Sequence, residues 1–290
     1  AQGTSGVSGK PPTLVRFQRA LLQVRACSMA LTSACLTSRS PRRASEGKAA
    51  LIGELSERRL RSKHVADIVA TLRKAQDSLT VKEHCIMIVA LGRARLWQEA
   101  LCILGGMQEN GLELDLVTCN AFVSVCDRCR QWELALGTLV DMFHRGPDPD
   151  VITYVATMSA CNRGQKWQIA VGLVIEMQRS RVVPNVFAHS IAMSACRNSG
   201  QWEIALAILS DAKGRGVEVD LIMYNAAMSA CDSGQQWELA LELLSEVRKR
   251  GLVPDTITFS AAMSACEKSQ HWAHALGLLR EAAQKGMKLD

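Results

Sequence analysis

The sequence predicts an all-α protein built as an α-solenoid of stacked antiparallel helix pairs, and two observations predict it. First, six tryptophans stand 35 residues apart, at Trp97, Trp132, Trp167, Trp202, Trp237 and Trp272. A period of this length is typical of repeated helical units that bury their apolar faces against their neighbours. Second, the apolar residues around each tryptophan recur at helical spacing.

The second helix of each unit is predicted to begin near its tryptophan. An alanine stands three residues after every Trp, followed at once by an aliphatic residue and by another three positions later, as at Ala240, Leu241 and Leu244. Spacings of three and four residues mark one face of a helix. We expect the tryptophans to fill the joint between adjacent repeats, rather than to stack on a ligand.

The first helix carries a recurring cysteine in five of the six units. Five of the eleven cysteines share one slot of the repeat: Cys126, Cys161, Cys196, Cys231 and Cys266. Small core residues that remain reduced in an intracellular compartment are the expected interpretation. Cys126 and Cys129 form a Cys-x-x-Cys, but no second ligand pair follows at zinc-site spacing, so neither a metal nor a cofactor is predicted.

The ends of the helices are also periodic. A left-handed C-terminal cap is predicted after the second helix at Gly111, Gly146, Gly216, Gly251 and Gly286, and Arg181 occupies this slot in the third repeat. A few residues later an Asp or Asn is expected to cap the next helix at its N-terminus. These residues are Asp115, Asp150, Asn185, Asp220 and Asp255.

The chain divides into three parts by charge and periodicity. Residues 1–46 form a basic segment, with seven Lys/Arg and no acid up to residue 45, typical of a transit peptide for a plastid or mitochondrion. A disordered basic tail is the alternative. Residues 47–80 are predicted as a degenerate helical repeat or N-terminal cap. Six repeats follow, at 81–115, 116–150, 151–185, 186–220, 221–255 and 256–290.

Charge and composition limit the possible functions. The net charge of +6 resides in the N-terminal segment, because the residues after 48 hold 26 of the 34 Lys/Arg and 27 of the 28 Asp/Glu. No apolar run approaches the roughly 18 residues of a membrane span, so no membrane partner is expected. Catalytic residues are not predicted either, because the chain lacks a Gly-rich phosphate loop and the His-x-Glu and Pro-Cys-x-x-Cys of zinc deaminases.

The repeat resembles one particular family. The 35-residue period, the Val-Ile-Thr-Tyr start at 151–154 and the Gly-Leu-Val-Pro-Asp end at 251–255 are similar to the pentatricopeptide repeat. The tetratricopeptide repeat differs, because its period is 34 and it places Leu three residues after Trp. The resemblance implies a right-handed superhelix in which the first helices line a groove for single-stranded RNA, with one base per repeat.

The resemblance also implies which residues read the bases. The fifth and last residues of each repeat would hydrogen-bond the base edge, which pairs Cys85 with Asp115, Asn120 with Asp150, Val155 with Asn185, Ser190 with Asp220, Asn225 with Asp255 and Ser260 with Asp290. Asn with Asp is similar to a uracil reader and Ser with Asp to a guanine reader. Cys85 and Val155 make no strong hydrogen bonds. The expected RNA therefore has, from 5′ to 3′, any base, U, any base, G, U and G.

Two further slots are candidates for RNA contact. The second residue of each repeat would pack on the base, at Val117, Ile152, Phe187, Ile222 and Ile257, with Lys82 as the exception. Packing within the protein is the alternative for these apolar residues. Phosphate contacts are expected at Arg93, Arg128, Arg163 and Lys268, which share a slot near the end of the first helix. Ordinary solvated charge at a helix C-terminus is the alternative there.

A function of a different class also fits a helix-pair array. A protein- or peptide-binding α-solenoid scaffold would have the same architecture, but it has no reason to keep Asn or Ser paired with Asp or Asn. That recurrence favours single-stranded RNA as the partner. The resemblance and the basic N-terminal segment imply an organellar transcript, bound by a monomeric protein in RNA processing, stabilisation or translation, with other RNA-processing proteins as further partners. Import of a fluorescent fusion into plastids or mitochondria would test the location.

Overall fold

Helices account for all the regular structure that is described. The computed structural model describes residues 45–57, 61–73 and 79–287, and no strand occurs within these ranges. Fourteen helices are present there: α1 Ser45–Ser56, α2 Ser62–Arg73, α3 Val81–Ala94, α4 Trp97–Glu109, α5 Leu116–Arg128, α6 Trp132–Arg145, α7 Val151–Arg163, α8 Trp167–Arg179, α9 Val186–Asn198, α10 Trp202–Gly214, α11 Leu221–Ser233, α12 Trp237–Lys249, α13 Thr256–Lys268 and α14 Trp272–Gln284.

The helices belong to two compact units, which divide after Gly164. In the first unit α3, α5 and α7 pack side by side, while α4 and α6 each contact the first helix of their own repeat and of the next. In the second unit α9, α11 and α13 form the equivalent layer, with α10 and α12 between successive members. The predicted all-α stack of helix pairs is confirmed. Most of the basic segment predicted at 1–46 lies outside the described residues.

The helix ends follow the chemistry of the repeat. The second helix of each of the six repeats begins at its tryptophan. At its other end, Gly251 takes the left-handed conformation predicted for the slot, with φ of 74°. Arg181 adopts the same conformation without the freedom of glycine, at φ of 58°. The following N–H then donates to a carbonyl five residues earlier, as Leu252 does to Val247 and Val182 to Met177, which satisfies carbonyls at the helix end.

Gly146 departs from the predicted left-handed cap. Its φ and ψ are −114° and −169°, which is extended backbone. The residue after it is Pro147, and a proline ring clashes with a preceding residue in the helical region and drives it toward extended conformations. The prediction from the glycine slot was wrong here, because a neighbouring residue outweighs the preference of glycine.

The first helices contribute many small residues to the core. All five cysteines of the repeated slot are buried free thiols, and burial raises the pKa of Cys196 and Cys231 to about 11. These thiols therefore remain protonated at neutral pH, as structural residues. In α2, Val65, Val69 and Leu72 are buried as well. No helix in the described ranges is long and apolar enough to cross a membrane.

The tryptophans fill joints between repeats. A Cβ added to Gly164, at the end of α7, would lie only 2.5 Å from Cδ1 of Trp132, which begins the second helix of the preceding repeat. Trp237 stacks on His271 of the following repeat, with ring centroids 3.9 Å apart. The expected joint is therefore confirmed at these positions. Trp272 differs, because no described helix follows α14 and its side chain is 71% exposed.

We expect Gly164→Ala to lower the free energy of unfolding by about 1 to 3 kcal/mol, because the new methyl group overpacks the joint against Trp132. Gly172→Ala is the matched control, since a Cβ at this position in α8 meets nothing within 4 Å. That variant should gain about 0.5 to 1 kcal/mol from helix propensity. Urea unfolding followed by circular dichroism measures both, and equal effects would contradict the role of the joint.

Candidate nucleic-acid interface

A row of apolar side chains is exposed at the second position of the first helices. Between 61% and 69% of each side chain is accessible at Val117, Ile152, Phe187, Ile222 and Ile257. The next residue of each of these helices is buried, so the helix presents its apolar side chain outward in these five repeats. Packing in the protein core, the alternative for this slot, is therefore wrong. Repeated exposure of large apolar residues at one register is a feature of binding surfaces.

The last residue of each repeat caps the following helix. The side chain of Asp115 accepts a hydrogen bond from the Thr118 N–H, and the same bond recurs at Asp150, Asn185, Asp220 and Asp255. Each cap residue is the Ncap, with extended backbone, and its side chain satisfies one of the unpaired N–H groups of the first turn. The predicted N-caps are confirmed, and capping places these carboxylates at the start of each first helix.

In two of the predicted base-reading pairs, the fifth and last residues of the repeat are in direct contact. Asn120 Nδ2 donates to Asp150 Oδ1 at 3.2 Å, and Asn225 Nδ2 donates to Asp255 Oδ1 at 3.1 Å. Asn120 lies three residues after Val117, and therefore on the same face of its helix. Each of these pairs thus places polar groups beside the exposed apolar row.

Hydrogen bonds lower the pKa of the two aspartates in these pairs. Burial opposes ionisation, but the N–H and side chain of Thr153, together with Asn120, outweigh it and hold the pKa of Asp150 below its usual value. The pKa of Asp255 is lowered in the same way by Thr258 and Asn225, against the effect of burial. Both carboxylates are therefore ionised acceptors at neutral pH.

The remaining pairs have different surroundings. Burial and the nearby charge of Asp115 raise the pKa of Cys85, which keeps that thiol neutral. The Ser190 hydroxyl is buried without a hydrogen-bond partner in the described part of the chain. Ser260 is exposed, and its partner Asp290 lies outside the described residues. Val155 and Asn185 belong to different units.

Three of the four predicted phosphate-binding residues are engaged by other groups of the protein. Arg93 donates to the carbonyl oxygens of Leu55 and Ser56 at the end of α1. Arg163 pairs with Asp127 at 3.1 Å, and Lys268 pairs with Asp232 at 2.8 Å. Arg128 is exposed. The cation side chains of both ion pairs are about half exposed, and such pairs contribute only about 0 to 1 kcal/mol, so a phosphate could displace the carboxylate.

Two threonines that the sequence analysis did not single out complete the contacting pairs. Thr153 and Thr258 are fully buried, and their hydroxyl groups lie against both members of each pair. The signal for them was present, because both stand three residues after a capping Asp and one repeat after an Asn.

Comparison with known proteins identifies the family. The sequence profile of the pentatricopeptide repeat domain matches residues 102–163, 137–199 and 207–269, which together cover more than half of the chain. A profile of the single repeat matches residues 84–112. The chain therefore belongs to the pentatricopeptide repeat family. A comparison with curated protein sequences found no significant match.

Solved structures share the fold. The crystal structure of the pentatricopeptide repeat protein PPR10 from maize is 20% identical, with a TM-score of 0.64 over 94% of this chain and 40% of that one. The present chain thus spans less than half of the maize protein. The repeat domain of protein-only RNase P 1 from Arabidopsis thaliana, solved in complex with tRNA, is 14% identical, with a TM-score of 0.51 over 58% of this chain and 89% of that domain.

Acidification should remove the stability that the two low-pKa aspartates contribute. Their folded pKa lies below the ordinary 3.8, so this contribution is present above pH 3.8 and is lost as the pH falls through the folded value. In Asp150→Asn/Asp255→Asn the N-caps remain, because Asn also caps helices. We expect the stability difference between wild type and variant, measured by urea unfolding, to shrink from about pH 5 to about pH 2. Asp148→Asn, in the linker before α7, is the control, and parallel curves for wild type and the double variant would contradict the assignment.

Proposed function

We propose that this protein binds single-stranded RNA, with one base per repeat contacting the row of exposed apolar residues and the adjacent polar pair. Family membership and the contact between the fifth-position Asn and the last-position Asp of two repeats support the proposal. The role proposed is binding rather than catalysis, on an organellar transcript and in its processing, stabilisation or translation. Residues 1–45, with seven Lys/Arg and no acid, are the basis for the organellar location.

The chemistry of the Asn–Asp pairs suits a uracil edge. After its bond to Asp150, the Asn120 amide has one N–H left to donate. The contacts of the Asp150 carboxylate with Asn120 Nδ2 and with Thr153 all involve Oδ1, so Oδ2 remains as an acceptor. Uracil presents an acceptor, O4, beside a donor, N3–H, on its Watson–Crick edge. The pair therefore matches uracil in donor and acceptor order, whereas cytosine presents the reverse order.

A serine in place of asparagine suits a larger base. Guanine presents O6 as an acceptor beside N1–H as a donor, in the same order as uracil, but a purine extends further toward the protein. Ser190, which repeat register pairs with Asp220, has a shorter side chain than asparagine and would leave that space. The proposed RNA is accordingly any base, U, any base, G, U and G, from 5′ to 3′.

A gel-shift experiment with a 10-mer RNA that contains this sequence tests the function. We expect binding at low salt, at least about tenfold weaker for a control RNA in which A and C replace the U and G bases, since each tenfold corresponds to about 1.4 kcal/mol. Binding should weaken with salt, with a logarithmic slope of about −0.7 for each phosphate contact. Absence of binding by the folded protein at low salt would instead favour a protein-binding scaffold.

Surface variants in the same assay test whether RNA binds at the apolar row rather than elsewhere on the protein. Ile222→Ser removes an apolar contact from the row, and it should weaken RNA binding several-fold with a stability change within about 0.5 kcal/mol, because the side chain is 63% exposed. Ile175→Ser is the matched control, since Ile175 is a comparably exposed isoleucine on a second helix. Equal loss of binding in both variants would contradict the location of the groove.

Asn225→Ser should change the base preference of one repeat from U toward G. The shorter side chain keeps a donor and makes room for a purine opposite Asp255, which is 30 residues further along the chain. Selection from randomised RNA, with wild type and variant in parallel, measures the enrichment at each position. The position assigned to Asn120 and Asp150 serves as an internal reference. An unchanged preference at the variant repeat would refute the residue assignment.

A further inference from the structure

We propose that Thr153 and Thr258 are specificity-determining positioning residues, each of which fixes the amide orientation of the asparagine one repeat earlier. The inference rests on the proposed RNA-binding function and adds a third position to the two that contact the base edge. Its basis is a pair of equivalent three-residue hydrogen-bond networks, one in each compact unit.

The two networks have the same geometry. Thr153 Oγ1 lies 2.5 Å from Asn120 Oδ1 and 2.8 Å from Asp150 Oδ1. In the second unit Thr258 Oγ1 lies 2.7 Å from both Asn225 Oδ1 and Asp255 Oδ1. Both threonines are fully buried, so water does not compete for these bonds.

The number of protons in the network determines its direction. A hydroxyl group has one proton, so Thr153 donates to only one of its two neighbours. Asp150 Oδ1 already accepts bonds from the Thr153 N–H and from Asn120 Nδ2. Asn120 Oδ1 is the partner that remains, and donation to it satisfies the most groups. The Asp150 N–H, in turn, donates to the threonine oxygen at 3.3 Å.

With these bonds in place the amide cannot exchange its two ends at low cost. Nδ2 faces a carboxylate that accepts, and Oδ1 faces a hydroxyl that donates. A half-turn of the amide would place its oxygen against the ionised oxygen of Asp150, and it would also turn the free N–H away from its position. Without the hydroxyl group only the bond to aspartate orients the amide, so donor and acceptor become less well defined for an incoming base.

The distribution of threonine along the sequence agrees with this role. Both repeats that follow an asparagine reader have threonine in the slot, whereas the repeat that follows Ser190 has Met223 there and the one that follows Val155 has Ala188. A short serine or a valine has no amide that requires orientation. Thr118, after Cys85, is in the slot without an amide partner, and its backbone N–H donates to Asp115 in the first turn of α5.

The test compares Thr153→Val, which keeps the shape and removes the hydroxyl group, with Thr153→Ser, which keeps the hydroxyl group. Selection from randomised RNA gives the preference for U at each position, and thermal melting gives stability. We expect Thr153→Val to lower the U preference about fivefold to tenfold at the base assigned to Asn120 and Asp150, the factor that corresponds to one ordinary hydrogen bond. Thr153→Ser should retain the preference, and the base assigned to Asn225 and Asp255 should be unaffected.

Two further variants separate positioning from stability. Thr157→Val removes another buried hydroxyl group from α7, one that donates to the Thr153 carbonyl, and it should leave every base preference unchanged. Thr258→Val should produce the reciprocal loss, confined to the base assigned to Asn225 and Asp255. A uniform loss of affinity without a loss at one base, or a loss equal to that of Thr157→Val, would overturn the inference.

The U preference of the wild-type protein shows whether a negative result counts against the proposed function or only against the positioning role. If wild type shows no U preference at either position, the proposed function fails and the inference fails with it. If wild type shows the preference and Thr153→Val retains it in full, the function stands and the positioning role is refuted.

Discussion

The joint between consecutive repeats is the contact on which the other features depend. A single helix pair cannot bury its apolar face, and the tryptophan at the start of each second helix supplies a large surface for the next repeat to cover. The closeness of Trp132 to Gly164 shows how tightly this joint is packed, because even one methyl group does not fit. Since the joint sets the distance and rotation between neighbours, it also decides whether a side chain in one repeat reaches the next.

The capping aspartates connect this architecture with the candidate site. An N-cap must have its carboxylate oxygen over the first turn, so its position is determined by the helix rather than by a ligand. In Asp150 and Asp255 the oxygen that caps the first helix of the next repeat also accepts a hydrogen bond from the asparagine amide of its own repeat. One carboxylate thus begins a helix, links two repeats and remains ionised beside an exposed apolar row. The structural and proposed binding roles of these residues are compatible, because a carboxylate accepts several hydrogen bonds.

Several features could be predicted because they depend on local chemistry. The start of each second helix, the N-caps and the left-handed Gly251 follow from periodicity and from preferences of single residues. Other features depend on neighbours. Gly146 is extended because a proline follows it. The turns between paired helices use left-handed residues such as Arg95 and Gln235, which could not be predicted because these residues are not glycine. The ion pairs of Arg163 and Lys268 were missed because their partners lie 36 residues earlier, across a repeat boundary.

The repeat, its register and the residue types in each slot could be read from the amino-acid sequence, because the same pattern recurs every 35 residues. The structure was needed to show which slots are exposed, which cations pair with carboxylates and which asparagines contact an aspartate. Periodicity places residues in equivalent positions, whereas exposure and hydrogen bonding depend on what the adjacent repeat brings close. For that reason Thr153 and Thr258 acquired a proposed role only when their hydroxyl groups were seen between the two members of each pair.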